Sequence, residues 1–396
     1  MKKILIIPSW YPSVDHYWSG TFFRDQALLM QDQFDIRILA GKLKKTSRLN
    51  RIINTLYFLL TSRVRVKNLP SHYPEPPQVF GFEYPDKINR FKKLNRRYEI
   101  SAYRRFYKKT VKKWRPDLIH AHATFMAGII SHSLSKENQI PYIITEHNHP
   151  AFSKMKVTSD NAYLTAINQA ARLLLVGKSL SSALDLSGLK HPVEVVGNYV
   201  DENKFSLSLP DNSGKFVVLF VGFFITEKDY DTLTVTIKKF SEITTDPDFR
   251  FRIVGCGEEG KKKIVDDLQH DGVINKVEIF PYVSREEIPE FHKSCNVFLS
   301  TSRLETFGIA MCETMMCGKP VVSTDNKGFD EMYVPEVNGI KCRAGDAAGL
   351  AEALIALQKK EIVFDPIAIR NSVLEKFGTN AFRQKLLAIY NEALQN

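Results

Sequence analysis

The stretch Ser300–Gly318, which reads STSRLETFGIAMCETMMCG, carries the clearest fold signal in this chain of 396 residues. The run VFLS at 297–300 predicts a buried strand that ends where the stretch begins. A loop bearing Glu305 follows, and a helix is expected to begin near 306–307. Gly308 lets the backbone approach a ligand closely, and the unpaired N–H groups of a first helical turn suit a diphosphate. The stretch therefore predicts a strand–loop–helix unit that binds an anionic ligand.

Both halves of the chain alternate short apolar runs with helical patterns. In the first half, strands are predicted at 3–7, 36–39, 117–120, 142–145 and 173–176. In the second half, strands are predicted at 216–221, 249–254, 277–280, 297–300 and 319–322. This alternation predicts two doubly wound, Rossmann-like α/β domains. Their expected bounds are 1–200 and 201–378, with a polar hinge at 201–215 and a final helix at 379–396 that can cross back to the first domain.

Composition narrows the class of protein. Hydrophobic residues make up 44% and charged residues 25%, as in ordinary globular chains. No apolar run approaches the roughly 20 residues that a membrane-spanning helix needs, and the N-terminus lacks the apolar stretch of a signal peptide. The five cysteines form no CxxC pair, so disulfide and metal interpretations are disfavoured. We expect a cytoplasmic protein with reduced thiols.

The net charge of +11 is distributed unevenly. Residues 1–200 carry 31 Lys and Arg against 14 Asp and Glu, whereas residues 201–396 carry 24 against 30. The excess lies in an insertion at about 42–115, where basic residues are interleaved with apolar and aromatic ones. This pattern is typical of amphipathic helices on an anionic membrane surface. A solvated helix face and a nucleic-acid surface are the alternatives, but no nucleic-acid-binding module is recognisable, so no nucleic-acid partner is expected.

Four histidines lie at the ends of two predicted strands: His120, His122, His147 and His149. The His-x-His spacing puts the first two on one face of a strand. A metal site, a sugar contact and a hydrogen-bonded structural role are the three interpretations. Because no carboxylate triad accompanies these histidines, the metal interpretation is disfavoured.

Glu305 and Glu313 are separated by seven residues, and this run resembles the Glu-x7-Glu motif of the retaining family 4 glycosyltransferases, which have the GT-B fold. Val221-Gly222 leading to Lys228 resembles the strand end and lysine that hold the donor diphosphate. Four further segments agree in order: GTF at 20–22, DLIHAH at 117–122, VGNYVD at 196–201 and IVGCG at 253–257. The resemblance covers nearly the whole chain and is weakest in 40–110.

The resemblance implies two Rossmann-like domains facing a central cleft and a UDP- or GDP-linked sugar as donor, with no cofactor and no metal. It assigns the diphosphate to Lys228 and the N–H groups near Gly308, the sugar hydroxyls to Glu305, and the ribose to Glu313. The expected catalytic residues are His122, Lys228 and Glu305. The expected donor-binding residues are Gly20, Thr21, Asn198, Gly222, Phe307, Gly308, Ile309 and Glu313.

Two positions depart from the family pattern. An Arg usually follows the glycine that corresponds to Gly222, and this chain has Phe223 there, so one of two cations that neutralise the leaving diphosphate is missing. Arg303 is a candidate to compensate for it. Asp229 also replaces the usual glycine after the lysine.

The predicted function is transfer of a sugar from a nucleotide-diphosphate sugar to an acceptor hydroxyl with retained anomeric configuration. Because the basic excess lies in the half expected to bind the acceptor, we expect a glycan or lipid-linked acceptor in polysaccharide or glycolipid assembly. The expected location is peripheral, on the inner face of the cytoplasmic membrane. An inactive or partner-dependent GT-B subunit and a sugar-nucleotide epimerase of the same fold are the alternatives.

Overall fold

The structure is a computed structural model, and it describes residues 1–12, 20–69, 77–88, 92–149, 161–184, 189, 191–209, 214–269 and 272–395. The chain separates into two compact units. Unit 1 comprises Met1–Val176, Leu180–Val196 and Arg383–Asn396, and unit 2 comprises Gly177–Ser179 and Gly197–Phe382. The predicted boundaries were at 200 and 378. Phe91 of the basic insertion and residues 210–213 of the predicted hinge lie outside the described residues.

Unit 1 is built on an eight-stranded sheet with the strand order β3-β4-β2-β1-β5-β6-β7-β8. Its strands are β1 (Lys3–Pro8), β2 (Asp35–Lys44), β3 (Lys67–Leu69), β4 (Gln78–Pro85), β5 (Leu118–His122), β6 (Tyr142–Glu146), β7 (Arg172–Leu175) and β8 (Val193–Val195). All neighbouring strands are parallel except β3, which runs antiparallel to β4. The central strands β5 and β6 are buried along their whole length, as expected for a parallel sheet covered on both faces.

Helices connect the strands of unit 1. They are α1 (Thr21–Leu29), α2 (Arg48–Thr61), α3 (Lys92–Phe106), α4 (Ile129–Asn138), α5 (Asn161–Asn168) and α6 (Lys178–Ala183). The end of the last helix of the chain also belongs to this unit. There Tyr390 is fully buried, and its hydroxyl lies 2.8 Å from Nδ1 of His120 on β5. This contact fixes the C-terminal segment on the first sheet.

Unit 2 has a six-stranded, wholly parallel sheet with the order β11-β10-β9-β12-β13-β14. Its strands are β9 (Phe216–Val221), β10 (Phe249–Val254), β11 (Val277–Phe280), β12 (Val297–Ser300), β13 (Val321–Thr324) and β14 (Gly339–Cys342). Its helices are α7 (Tyr230–Ile243), α8 (Gly257–Leu268), α9 (Ile288–Lys293), α10 (Ile309–Met316), α11 (Ala347–Gln358) and α12 (Pro366–Phe377), followed by α13 (Thr379–Gln395). The two α/β units confirm the predicted fold class.

Several predicted element bounds were wrong for identifiable reasons. Strand β13 begins at Val321 rather than 319, because Pro320 has no N–H and the Lys319 N–H donates to the carbonyl of Thr314 at the end of α10. The spacing of Ser284 and Glu287 predicts a helix over 285–294 that opens with a capping box, but helix α9 begins at Ile288. The predicted capping box nevertheless forms, since the Glu287 N–H donates to Oγ of Ser284 at 3.2 Å and the Ser284 N–H donates to the Glu287 carboxylate at 3.0 Å.

The basic insertion is part of the first sheet. Strand β2 continues to Lys44 instead of ending at 39, because β4 pairs with it from Gln78 to Pro85. Neither β3 nor β4 was predicted. The insertion therefore contributes two strands as well as the basic helices α2 and α3.

Helix α2 buries Phe58 together with two polar side chains and exposes most of its apolar ones. Asn54 donates to the carbonyl of Asp86 at 3.0 Å, and Oγ1 of Thr55 accepts from the Ile88 N–H at 3.1 Å. On the opposite side six apolar side chains are exposed: Leu49, Ile52, Ile53, Leu56, Leu59 and Leu60. We call these six the apolar face of α2. No helix among the described residues is long and apolar enough to cross a membrane.

Candidate active site

The carboxyl end of β9 brings Gly222 and Lys228 together. A Cβ on Gly222 would lie 3.0 Å from Cδ of Lys228, so the lysine methylenes pack directly on the glycine backbone. The Tyr230 hydroxyl donates to the Gly222 carbonyl at 2.7 Å. Because Gly222 has no side chain, Lys228 can pack against the end of β9, as the spacing of the two residues predicts.

Lys228 points to the glutamate of the opening stretch. Its Nζ donates to Oε1 of Glu305 at 2.6 Å, and the hydroxyl of Ser302 donates to the same oxygen at 2.8 Å. The side chains of the lysine and glutamate are only 20% and 15% exposed. The Glu305 N–H donates to the carbonyl of Asn326, which fixes the loop backbone. Two predicted site residues that are 77 positions apart therefore form one partly buried ion pair.

Gly308 begins helix α10 in the left-handed conformation, with φ of 81°. A Cβ there would lie 2.1 Å from Cε of Met311, so both backbone and space require glycine. The helix starts at Ile309, later than the predicted 306–307, because Gly308 in its left-handed conformation cannot be part of a right-handed turn. The Met311 N–H makes the first bond inside this turn, to the Gly308 carbonyl. The N–H groups of Ile309 and Ala310 precede it and can donate to an anion.

Phe307 lies in the interior of unit 2. It is 1% exposed, and its ring packs edge-on against Phe377 at a centroid distance of 4.9 Å. A Cβ on Gly197 would meet both rings. The Phe307 side chain therefore anchors the loop, and its backbone is what remains for a ligand.

Glu313 lies on α10 and is 3% exposed. Nη1 of Arg285 donates to its Oε1 at 2.7 Å, and Nε2 of His292 lies 3.5 Å from Oε2. Burial lowers the pKa of His292 to about 3, so this imidazole is neutral and Arg285 supplies the positive charge. The predicted ribose-binding carboxylate is thus held by a cation that the sequence did not indicate.

One of the two departures from the family pattern in this region, Asp229, pairs with Arg303. Asp229 has φ of 50° and accepts from the Arg303 guanidinium at 2.8 and 3.2 Å. These bonds and those from Thr232 hold the pKa of Asp229 below its usual range, although burial opposes them. Arg303 is therefore paired with Asp229, and its role in place of the missing arginine stays a prediction. Phe223, at the position of that arginine, is 55% exposed.

In unit 1, β5 and β6 bring three histidines into contact. His120 is bonded on both ring nitrogens, to Tyr390 and to Oγ1 of Thr145 at 2.7 Å. Nδ1 of His122 lies 3.0 Å from Nε2 of His147. Nε2 of His122 is buried and has no hydrogen-bond partner among the described residues. His120 is therefore structural, whereas one ring nitrogen of His122 is not used by the described residues.

Burial controls the charge of these histidines. It lowers the pKa of His120 and His147 to about 3, and that of His122 well below its usual value. All three imidazoles are neutral near pH 7. The ring nitrogen of His122 acts as a donor or an acceptor according to which of the pair His122–His147 carries the shared proton.

The remaining predicted residues have different settings. Gly20 precedes α1 with φ of 76°, where a Cβ would meet Trp10 at 2.9 Å. Thr21 is the first residue of α1, and Asn198 is half-buried near the start of unit 2. The structure joins Lys228, Gly222 and Glu305 directly, and it places Gly308 and Glu313 on the helix that follows.

Family models match most of the chain. The model for glycosyl transferases group 1 matches residues 201–381, and that for Glycosyltransferase Family 4 matches residues 61–204. The chain belongs to the family 4 glycosyltransferases. This glycosyltransferase is 28% identical over 265 residues to an uncharacterized glycosyltransferase of Methanocaldococcus jannaschii, covering 67% of this chain and 71% of that protein.

Solved structures show that the glycosyltransferase has the GT-B fold. Sucrose-phosphate synthase of Thermosynechococcus elongatus superposes with a TM-score of 0.71 at 16% identity and full coverage of both chains. The Anabaena protein HepE, solved in complex with UDP and glucose, superposes with a TM-score of 0.71 at 17% identity over 99% of each chain. Within the described residues no group of three or more His, Cys, Asp or Glu side chains is arranged to hold a metal ion.

Proposed function

We propose that this glycosyltransferase transfers a sugar from a UDP- or GDP-linked donor to an acceptor hydroxyl with retained configuration. The observation that carries the donor proposal is the Lys228–Glu305 ion pair at 2.6 Å, beside the left-handed start of α10. A cation and free helix N–H groups at one sheet edge suit a diphosphate. The complex of the structural relative HepE with UDP and glucose supports a UDP-linked donor.

In the proposed mechanism, charge develops on the diphosphate as the anomeric bond breaks. Lys228 and the N–H groups of Ile309 and Ala310 stabilise that charge, which is the kind of preorganised interaction that lowers a barrier most. Glu305 keeps Lys228 in place and binds sugar hydroxyls, and Glu313 binds the ribose. Neutral His122 uses its buried Nε2 as a hydrogen-bonding group on the sugar, with Gly20 and Thr21 near the diphosphate. The leaving diphosphate takes the acceptor proton, and the reaction needs no metal.

The donor proposal is tested with two variants and matched controls. Lys228→Ala and Glu305→Ala are expected to lower donor turnover on the order of a hundred-fold or more, the usual cost of losing one group that stabilises developing charge. Lys262→Ala and Glu290→Ala remove residues of the same types from exposed ion pairs of unit 2. The assay contains EDTA because the proposed reaction needs no metal. Full turnover by Lys228→Ala and Glu305→Ala would contradict the mechanism.

The same assay separates the alternative functions. Isomerised donor sugar in the absence of any acceptor would indicate an epimerase. Donor binding without turnover across a broad acceptor screen would indicate an inactive or partner-dependent subunit. Exposed Phe223 at the position of the usual arginine is the observation behind this second possibility.

We also propose that the protein acts peripherally at the cytoplasmic membrane, in glycolipid or polysaccharide assembly. The support is the apolar face of α2, which lies in a stretch, 36–74, with nine basic residues and no acidic one. An exposed apolar face flanked by cations has the chemistry of an interfacial helix on an anionic bilayer.

Membrane association is tested with Leu56→Glu/Leu60→Glu, at side chains 54% and 84% exposed. Binding to phosphatidylglycerol vesicles should fall on the order of ten-fold or more, because two carboxylates would enter the apolar interface. The control Val363→Glu/Ile367→Glu makes the same change at two exposed apolar positions of unit 2. Equal effects of the two variants would contradict the role of α2.

A further inference from the structure

A groove of about 1180 Å³ lies along α3, α4 and α5 of unit 1. Eight of its nineteen lining residues are Lys or Arg, and Glu137 is the single acid among them. A concave wall with this excess of one charge focuses its field on the space inside and attracts ligands of the opposite sign. The groove therefore favours an anion.

Internal ion pairs neutralise little of this charge. Glu137 is shared between Nε of Arg104 at 2.6 Å and Nζ of Lys108 at 3.5 Å. Four other cations of the groove make no ion pair with another described residue: Arg63, Arg97, Lys109 and Lys136. Several unpartnered cations facing one space repel one another, so binding a multiply charged anion relieves that repulsion.

One end of the groove lies at the same edge of the sheet as the histidines. Ile129, the first residue of α4, and Asn161, the first residue of α5, both line it. These helices follow β5 and β6, which end at His122 and Glu146. Helices that follow parallel strands begin at the carboxyl edge of the sheet, which is where ligands of such folds bind. One end of the groove is therefore on the side of unit 1 that carries His122.

The groove also adjoins the apolar helix. Phe58, Ser62 and Arg63, at the end of α2, line its wall, whereas the opposite side of the same helix is the apolar face of α2. Cationic and apolar surfaces thus meet along one helix. A ligand that uses both is an amphiphile with an anionic head and a hydrocarbon chain, whereas a nucleic acid would use only the charge.

We infer that this groove binds the phosphate or diphosphate group of a lipid-linked acceptor, while the apolar face of α2 contacts the hydrocarbon chain and the bilayer. Arginine guanidinium groups make paired, charge-assisted hydrogen bonds to phosphate oxygens, and the groove contains five arginines. The inference rests on the proposed function, since it names the acceptor of that reaction. It assigns the acceptor head to residues outside the donor site.

The test compares two double variants of the full chain that remove equal charge. Arg97→Ala/Lys109→Ala removes two cations that line the groove, whereas Lys112→Ala/Lys113→Ala removes two exposed cations nearby that do not line it. Binding is measured to phosphatidylcholine vesicles that contain a long-chain alkyl diphosphate, to vesicles with phosphatidylglycerol at equal surface charge, and to inorganic diphosphate. Only the groove variant should lose affinity for the alkyl diphosphate, on the order of ten-fold.

Three results would overturn the inference: equal loss in both variants, no preference of the unmodified protein for alkyl diphosphate over phosphatidylglycerol, or a groove effect seen with duplex DNA instead. Binding of inorganic diphosphate that is also sensitive to the groove variant supports recognition of the head group itself. Thermal stabilisation by UDP-linked and GDP-linked sugars is measured on the same samples. Its absence in every sample would defeat the proposed function while leaving the groove result intact, so the two failures are distinguishable.

Discussion

Acidification should destabilise unit 1 through its buried histidines. His120 and His147 have a pKa of about 3 in the folded protein against about 6.5 when unfolded, and burial likewise depresses the pKa of His122. Between these values the unfolded chain binds more protons than the folded one, so the free energy of unfolding falls as pH falls. From pH 7 to pH 5 each such histidine costs about 2 kcal/mol. For His120 and His147 together the loss is about 4 kcal/mol, a large part of the stability of a domain, and His122 adds to it in the same direction.

The assay is urea unfolding followed by tryptophan fluorescence. All three tryptophans of the chain lie within its first 114 residues, so the signal reports on the N-terminal part alone. His120→Gln removes one titrating group and can keep bonds to Tyr390 and Thr145. Between pH 7 and pH 5 its free energy of unfolding should fall by about 2 kcal/mol less than that of the unmodified protein. An unchanged pH dependence in the variant, or equal stability at pH 7 and pH 5, would refute the reasoning even if the variant were less stable overall.

Three further predictions concern unit 2. Arg285→Met leaves the buried Glu313 carboxylate without the cation 2.7 Å away and should lower the unfolding free energy by about 2–4 kcal/mol in urea titration; a change below about 0.5 kcal/mol would contradict the pairing. Gly308→Ala should cost about 1–2 kcal/mol and weaken UDP binding in calorimetry, because φ of 81° and the contact with Met311 disfavour a Cβ. Phe223→Arg, at an exposed position, should leave stability within about 0.5 kcal/mol and strengthen UDP binding; weaker binding would show that no diphosphate lies there.

Five of the six strands of unit 2 were predictable because they are apolar runs bounded by turns, whereas β14 was not predicted. The bounds of β9 and β12 agree with the sequence pattern residue for residue. Strand β4 was missed because Gly81 interrupts its pattern and its pairing with β2 is a long-range event that local sequence does not encode. The basic composition of the insertion therefore suggested helices alone.

The sequence predicted the residues of the candidate site but not the contacts between them. Lys228 and Glu305 were expected from their motifs, but nothing in the sequence indicates that they form an ion pair. Arg285 was missed because an arginine after a capping serine looks like an ordinary surface residue, and only the fold brings it to Glu313 across 28 positions. Asp229, which replaces a glycine, is the one sequence signal for the pairing with Arg303, since an aspartate with positive φ usually needs local hydrogen bonds.

The central claim is retained transfer from a nucleotide sugar bound at Lys228 and Glu305. The most direct measurement is the anomeric configuration of the first product, read by proton NMR, when the protein converts a UDP- or GDP-linked sugar in the presence of a lipid-phosphate acceptor. We predict a product with the anomeric configuration of the donor. It should form on the order of a hundred-fold more slowly with Lys228→Ala and at the normal rate with Lys262→Ala. An inverted product, or equal rates for these two variants, would contradict it.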